Sequence, residues 1–315
     1  MKNHFPLLAI FVIAILVGCS TVKPPETKVV QSPTPEVSKS LANQERSLKR
    51  KVAIARFSNE TKYGQGFFYD KNEDRLGKQA MDIFSSKLTA TGKFIMLERA
   101  DLSYLKDEKA TAKLSEANIP ADYLIIGSVT EFGRKATSDV GVFSRSKKQT
   151  AYATVSVRLV DVRTSQIIYS EEGAGEAFSE SETVLGVGST ADYDATLNDK
   201  VISAAIGKLV SNIGENLLNK PWRSYLLSYQ DGSYIISGGA LQGLKEGDVF
   251  TVYKRGQKVD NPQTGIPVEL PGKVIGKIQV VSLIPGDVTS ELSTCSKLSG
   301  DIPTDNFLEF YIQDK

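Results

Sequence analysis

Apolar and polar residues alternate at Lys51–Phe57, where β-branched side chains also favour extended backbone, so the pattern predicts a first strand. Apolar residues then recur at helical spacing between Leu76 and Leu88, and Gly92 follows as a residue that can end a helix with positive φ. The same reasoning predicts a strand, a helix and a strand at Phe94–Leu97, Arg99–Lys109 and Ala121–Gly127. Strands that alternate with helices are typical of an α/β layer.

Longer β-segments follow this layer. We predict a first hairpin from Val129 to Val157, with its turn near Ser144–Lys147. A second hairpin is predicted from Ile168 to Ala191, with a polar turn at Ser179–Glu182. Asp194 should then cap a long amphipathic helix. The apolar side of this helix is formed by Val201, Ala204, Ala205, Leu209, Ile213 and Leu217.

The outgoing strand of the first hairpin separates its residues into two faces. Glu131, Lys135 and Asp139 lie on a polar face, which in a barrel would face the lumen. The opposite face is mostly apolar, as in a lipid-facing strand, but it includes Arg134. Because an arginine at the bilayer midplane costs about 2 to 4 kcal/mol, Arg134 must lie near a membrane rim, or the hairpins do not enter a membrane.

From Trp222 onward the pattern changes to short apolar runs separated by Gly, Pro and Asn, which predicts a small all-β unit similar to an SH3 barrel. Its strands are predicted at Tyr234–Ile236, Val249–Tyr253, Val274–Leu283 and Val288–Leu292. The predicted fold class is therefore α+β. It combines an α/β layer, two long β-hairpins that could contribute to a transmembrane barrel, and a small all-β barrel-like domain.

The first residues carry a different signal. Lys2 precedes an apolar run from Phe5 to Val17, which is well short of the roughly 20 residues that a membrane-spanning helix needs and fits a signal peptide. Ser20–Arg50 contains several Pro residues among polar ones and few large apolar side chains, so it should be a linker. We thus divide the chain into a signal at 1–18, a linker at 19–50, an α/β domain at 51–221 and an all-β domain at 222–315.

Leu16-Val17-Gly18-Cys19 resembles the lipobox of bacterial lipoprotein precursors, in which the signal is cleaved before a cysteine that carries lipid. The resemblance implies lipidation at Cys19, and several acyl chains there would make anchoring effectively permanent. Ser20, in place of Asp, favours the outer membrane, with the protein facing the periplasm. The alternative is an ordinary secretory signal that contains a cysteine by chance.

Composition excludes several classes of function. The one histidine, His4, lies in the signal, so Ser-His-Asp and Cys-His catalysis are excluded and the commonest metal ligand is lost. With Cys19 lipidated, Cys295 has no disulfide partner in its own chain, and we expect it to be buried, with an exposed thiol as the alternative. A net charge of +1 indicates no nucleic-acid partner. We predict no metal and no cofactor.

Several segments, in order along the chain, carry a family resemblance. They are Val52–Thr61, Phe94–Arg99, Ala121–Ser128, Val157–Val162 and Gln166–Ile168. Together they resemble the CsgG/HfaB family of outer-membrane lipoproteins, whose best-known member is the curli secretion channel, although that channel lacks the all-β tail. Family channels are rings of identical subunits, each giving two β-hairpins to one transmembrane barrel. The resemblance therefore implies a homo-oligomer.

In this family a constriction loop joins the first strand to the first helix. The resemblance places Phe67 at the position of a constriction tyrosine, and Phe68 and Tyr69 are further candidates for an aromatic gate. Lys71 and Asn72 depart from the Asn-Phe pair that the curli channel has at the later positions of this loop. The alternative is that the three aromatic side chains pack against neighbouring loops.

The residues and the resemblance together predict an outer-membrane lipoprotein that forms an oligomeric export channel or assembly platform for secreted or surface proteins. Its partners would be the membrane, through lipid on Cys19, further copies of the chain, and an exported protein or periplasmic accessory proteins. The alternative is a tethered lipoprotein that binds and regulates a cell-envelope machine such as a peptidoglycan synthase. We predict no enzyme, because the spacing of Asp192, Asp194 and Asp199 suits a helix cap.

Overall fold

The computed structural model describes residues 47–62, 74–111, 119–140, 144–184, 187–188, 196–260, 262 and 267–314. This part of the chain forms two large sheets, and each sheet has its own hydrophobic core. Within these residues, three helices belong to the first sheet, whereas the second is accompanied by short 3-10 turns. The fold class is α+β, as predicted.

The first sheet contains the α/β layer and the long hairpins. Its strands are β1 (Arg50–Asn59), β2 (Phe94–Leu97), β3 (Tyr123–Val140), β4 (Ser144–Asp161), β5 (Gln166–Val184) and β6 (Val187–Gly188), and its helices are α1 (Arg75–Ala90), α2 (Leu102–Thr111) and α3 (Thr196–Leu218). The strand order is β2-β1-β3-β4-β5-β6. β1 is parallel to β2 and β3, because α1 and α2 return the chain to the same end of the sheet, and the remaining pairs are antiparallel.

One face of this sheet is covered by α1 and α3. In β4, Val155 and Val157 are fully buried on that face, and on α3 Ile206 and Leu209 are fully buried against them. All six positions predicted for the apolar side of α3 are buried, so that prediction is confirmed. Burying a large aliphatic side chain stabilises the fold by about 1.5 to 3 kcal/mol, so this helix is a main source of stability.

Two glycines let α3 lie directly on the backbone of β5. A Cβ on Gly173 would collide with the carbonyl oxygen of Ala205, and one on Gly175 would collide with the carbonyl oxygen of Val201. A larger residue at either of these two positions would hold the helix away from the strand.

The two segments predicted as hairpin turns belong to strands. Ser144–Lys147 belongs to β4, which starts at Ser144, and Ser179–Glu182 belongs to β5, which continues to Val184. Both polar segments pair with each other as neighbouring strands; Lys147 lies opposite Ser181. The predictions were wrong because polar residues also occur within strands, as the exposed side chains of Lys147 and Glu180 show.

The second sheet nearly closes on itself. Its strands are β7 (Arg223–Ser224), β8 (Leu226–Gln230), β9 (Ser233–Ser237), β10 (Val249–Lys254), β13 (Lys273–Ile284), β14 (Leu292–Gly300) and β15 (Phe310–Gln313), and a separate pair is formed by β11 (Lys258–Asp260) and β12 (Pro267–Glu269). The order is β7-β15-β10-β13-β14-β9-β8. Only Tyr225 separates β7 from β8, the two end strands, so one bent segment of chain joins both ends into a barrel-like sheet.

The barrel-like sheet encloses a compact core that includes Trp222, Phe250 and Cys295. Cys295 is fully buried, as predicted, and burial raises the pKa of its thiol to about 12. The prediction of a strand at Val288–Leu292 is wrong, since β14 begins only at Leu292. The carboxylate of Asp287 accepts hydrogen bonds from the backbone N–H groups of Thr289 and Ser290, which folds the segment before Leu292 into a turn.

Arg50 connects the first sheet to the second. Its guanidinium group is almost completely buried and donates to the carbonyl oxygens of Leu48, Leu218 and Lys220. It also lies 3.9 Å from the carboxylate of Asp314, at the end of the second sheet. Burial lowers the pKa of Arg50, and the nearby carboxylate opposes that effect. Arg50 thus donates hydrogen bonds to carbonyl groups at the C-terminal end of α3 and joins the two sheets through Asp314.

Candidate functional site

The predicted constriction loop, which joins β1 to α1, leaves and re-enters the fold at one point. The carboxylate of Asp74 accepts the backbone N–H of Asn59 at 2.6 Å and, through its other oxygen, the N–H of Gly77 at 2.8 Å. Asp74 therefore caps α1 and also closes the base of the loop. The N–H of Glu60 donates to the carbonyl oxygen of Val129 at 2.9 Å, where β3 continues beyond β1. The base of this loop thus lies beside the base of the first hairpin.

Several predicted site residues lie outside the described residues. They are the lipidation site Cys19, the gate candidates Phe67, Phe68 and Tyr69, and the acidic residues Asp192 and Asp194. Their roles stay predictions. Asp199 lies in the first turn of α3, and its carboxylate accepts a hydrogen bond from the side-chain amide of Gln79 on α1.

A β-bulge sets the two faces of the first hairpin. The pairing of β3 with β4 shifts between Val129 and Glu131, so Val129 and Phe132 are both buried on the helix-covered face. Glu131 and Lys135 are exposed on the opposite face, and Asp139 lies in β3 opposite Ser146. The assignment of Glu131, Lys135 and Asp139 to a lumen stays a prediction.

Arg134, the polar residue on the apolar face, has a structural role. Its guanidinium group donates to Asn198 Oδ1 on α3 and to Gln149 Oε1 on β4, each at 3.1 Å. Gln149 is itself buried, so the bond satisfies a polar group that water does not reach. Up to Arg134, the apolar face of the hairpin is therefore covered by α3 of the same chain. Sequence alternation could not show this, because the partners lie on two other elements.

The open face of the same hairpin carries an aromatic side chain that sequence analysis did not select. Tyr152 lies directly opposite Gly133 and its ring covers the glycine, where a Cβ would collide with the ring. Half of the Tyr152 side chain remains exposed. Thr154 donates to the carboxylate of Glu131 at 2.9 Å on this face. An aromatic residue over a cross-strand glycine stabilises the strand pair and leaves a surface for contacts.

Adjacent glutamates at the start of the second hairpin occupy opposite faces of β5. Glu171 faces α3, where it accepts hydrogen bonds from Tyr169 at 2.9 Å and from Asn212 at 2.7 Å, whereas Glu172 is exposed. Burial and the hydrogen bond to Glu171 raise the pKa of Tyr169 to about 12. This polar network fixes β5 to α3.

Beyond Arg134 the three long strands carry polar residues on both faces. One face has the row Ala136, Gln149 and Ser179, and the other has the row Thr137, Lys148 and Glu180. Lys148 forms an ion pair with Glu180 at 2.9 Å, and its ammonium group lies 4.1 Å from the centre of the Phe178 ring. In these described rows, neither face has the continuous apolar band that a lipid-facing strand requires.

The described part of β3 that continues past Arg134, Lys135–Val140, spans about 20 Å at ~3.3 Å per residue. Within the described ranges, no helix has the length and apolar character needed to cross a membrane.

Two strand edges of the first sheet have no described neighbour over much of their length. β1 pairs with β3 only as far as Val129, so Glu131–Val140 has an open edge among the described strands. On β5, the short strand β6 pairs only at Thr183 and Val184, so no described strand adjoins Gln166–Glu182 on that side. Unpaired N–H and C=O groups along such edges are templates for another strand.

Comparison with known proteins adds sequence relationships to this geometry. Residues 35–247 match the model of the family described as curli production assembly/transport component CsgG. A protein of Neisseria meningitidis serogroup B that is named as a lipoprotein is 36% identical over 211 residues, which cover 66% of this chain and 92% of that protein.

Solved structures share parts of the fold at low sequence identity. The PelC dodecamer from Paraburkholderia phytofirmans is 16% identical, with a TM-score of 0.24, and the match covers 58% of this chain and 96% of that one. The LpoB C-terminal domain from Escherichia coli is 20% identical, with a TM-score of 0.23, and the match covers 44% of this chain and 90% of that one.

Proposed function

The chain belongs to the CsgG family, and from that membership we propose that it is a lipid-anchored protein of the outer membrane that assembles with copies of itself into a platform for the export or assembly of surface proteins. Lipid on Cys19 would hold it, with its folded part in the periplasm. The name of the Neisseria relative as a lipoprotein supports this anchor. The domain boundaries at residues 18, 50 and 221 are part of the proposal.

The observation that carries the proposal is the pair of open edges on the first sheet. β3 and β5 lie on opposite sides of β4, so the two edges face in different directions and a second copy can pair at each one. A contact that joins different edges of neighbouring copies is heterologous, and such contacts produce a ring when the rotation closes. Repeated pairing would then remove the exposed edges.

The polar hairpin extension determines where we place the hairpins in this assembly. Because both faces are polar beyond Arg134, we propose that the hairpins contact protein partners or line a water-filled passage, and do not sit in lipid. Glu131, Lys135 and Asp139 would face that passage. Phe67, Phe68 and Tyr69 would narrow it, since the base of their loop lies beside the hairpin base.

A cross-linking experiment tests the assembly. In a Cys295→Ala background with mature lipidated protein in detergent, Thr137→Cys and Ala174→Cys place one thiol near each open edge. Treatment with a short bismaleimide should give a ladder of covalent multimers from the double variant, and no product larger than a dimer from either single variant. Ser156→Cys combined with Ala174→Cys is the control, because Ser156 lies in β4 between two paired strands. A light-scattering mass of one subunit at micromolar concentration, together with no ladder, would reject the proposal.

The second candidate function is regulation of a cell-envelope machine, such as a peptidoglycan synthase, by a monomeric tethered protein. The observation that favours it is the same polar extension, since polar hairpin faces suit a protein partner as well as a ring. The light-scattering mass separates the two functions: a multimer supports the platform, and a monomer supports the regulator.

A further inference from the structure

A small cleft between the two sheets is lined by arginine and tyrosine side chains. Its volume is about 230 Å³, and its polar lining is formed by Arg163, Arg223, Tyr225, Arg255, Glu269 and Tyr311. Arg163 belongs to the turn between β4 and β5 of the first sheet, and the other five belong to the second part of the chain. The cleft therefore brings three guanidinium groups together against a single carboxylate.

Arg255 is held in this cleft with an unused donor. Its guanidinium carbon lies 5.8 Å from the centre of the Tyr225 ring, and a terminal nitrogen lies 3.8 Å from the carboxylate of Glu269. Its Nε is buried and has no hydrogen-bond partner in the described part of the chain. A buried donor without a partner costs about 1 to 3 kcal/mol, which a bound acceptor would recover.

Arg223 lies over an aromatic ring in the same cleft. Its guanidinium carbon lies 5.2 Å from the centre of the Tyr311 ring, and that ring stacks on Tyr253 with centres 5.1 Å apart and planes 6° from parallel. Its Nε donates to Gln313 at 3.3 Å, and within the described residues its two terminal nitrogens have no acceptor. A guanidinium group that is already positioned by a ring contact and a hydrogen bond loses less entropy when it binds an oxyanion.

From these contacts we propose that the cleft binds one compact oxyanion, a carboxylate or a phosphate group, between Arg223, Arg255 and Arg163. The volume is below the roughly 300 to 1,000 Å³ of ordinary small-molecule sites, so the cleft takes a single anionic group and not a whole cofactor. The planar forks of two arginines suit the paired oxygens of either group. Glu269 is the internal competitor, because its carboxylate already lies beside Arg255.

The test is titration calorimetry with two probes, inorganic phosphate and a short unblocked peptide with a free C-terminal carboxylate. Arg223→Gln and Arg255→Gln should each weaken binding by about tenfold or more, since each removes a charged hydrogen-bond donor. Lys297→Gln is the matched control, because it removes an exposed positive charge that does not line the cleft, and it should leave binding unchanged. Glu269→Gln should strengthen binding, a gain that misfolding cannot imitate.

The two probes also separate the sources of the anion. Binding of phosphate indicates a free ion as the ligand, whereas binding of the peptide alone indicates a carboxylate carried by a partner chain. Either result supports the proposed site if the arginine variants weaken that binding. The proposal is overturned if neither probe binds at millimolar concentration. It is also overturned if Arg223→Gln and Arg255→Gln, shown to be folded by circular dichroism, bind as well as the original chain.

Discussion

The two sheets of this chain end in different ways. The second sheet uses one bent segment around Tyr225 to join its end strands, whereas the first leaves long edges of β3 and β5 without a described neighbour. The second sheet thus brings its two end strands together within one chain. The first sheet keeps open edges on β3 and β5, although α3 covers its strands up to Arg134 as thoroughly as in any globular core. Along the same strands, the part covered by α3 provides stability. The part with unpaired edges is available for assembly.

Substitution of Arg50 should break the connection between the two sheets and has the largest expected effect. Arg50→Ala leaves the carbonyl oxygens of Leu218 and Lys220 without this donor and removes the positive charge beside Asp314. We expect a loss of about 3 kcal/mol in the free energy of unfolding. Thermal unfolding followed by calorimetry should also divide into two transitions. Arg56→Ala, at an exposed position of the same strand, is the control, and a single transition in Arg50→Ala would contradict this account.

Substitution of Gly175 should disturb only the first sheet. Gly175→Val forces a side chain against the backbone of α3 at Val201, so we expect a loss of about 2 kcal/mol in urea unfolding. Ala174→Val adds comparable volume on the exposed face of the same strand and should change stability by less than about 0.5 kcal/mol. Equal losses in the two variants would show that α3 does not rest directly on β5.

Arg134 marks the boundary between the covered and the extended parts of the hairpin. Arg134→Ala should cost about 1 to 2 kcal/mol, because it leaves the buried amide of Gln149 without this donor. Lys135→Ala, one residue further and exposed, should have almost no effect on urea unfolding. If Lys135→Ala were the more damaging change, the two faces would be assigned the wrong way round.

Cys295 lies in the core of the second sheet, and near neutral pH its titration gives the smallest expected effect. Its pKa is raised from 9.0 to about 12, so the unfolded chain loses the thiol proton first as the pH rises. The stability contributed by the protonated thiol is therefore complete below pH 9 and decreases between pH 9 and about 12. Unfolding measured across this interval should show a slope that Cys295→Ala lacks.

Labelling of the same thiol provides an independent check. In Cys19→Ser protein at pH 8, an alkylating reagent should modify Cys295 only after denaturant is added. Rapid modification of the native protein would mean that the barrel-like sheet opens more easily than its packing indicates.

Local patterns were sufficient for much of the fold. Helical spacing identified the buried side of α3, and the positive φ of Gly92 follows the end of α1 as expected. Alternation alone was not sufficient for the hairpins, because polar residues occur both in turns and in strands. The pairing of β4 with β5, which includes the ion pair between Lys148 and Glu180, shows that these segments are strands. Val288 was assigned to a strand because its side chain is apolar, but the hydrogen bonds that Asp287 accepts fold this segment into a turn.

The candidate site was less accessible to sequence reasoning. Glu131 and Lys135 follow from alternation, but the partners of Arg134 come from β4 and α3, which are far apart in sequence. The arginine cleft draws on residues from Arg163 to Tyr311 and has no local motif. Contacts of this kind depend on the tertiary structure and leave no periodic trace in the chain.

The pairing of β1 has a mechanical consequence for a chain that is held from its N-terminal side. β1 is bonded to β2 from Arg50 to Ala53 and to β3 from Val52 to Asn59, with both neighbours parallel to it. Tension applied before Arg50 acts along the axis of β1 and loads both ladders in shear, so many hydrogen bonds share the force at once. The point at which an anchor would pull is therefore also the point at which this sheet resists extension most strongly.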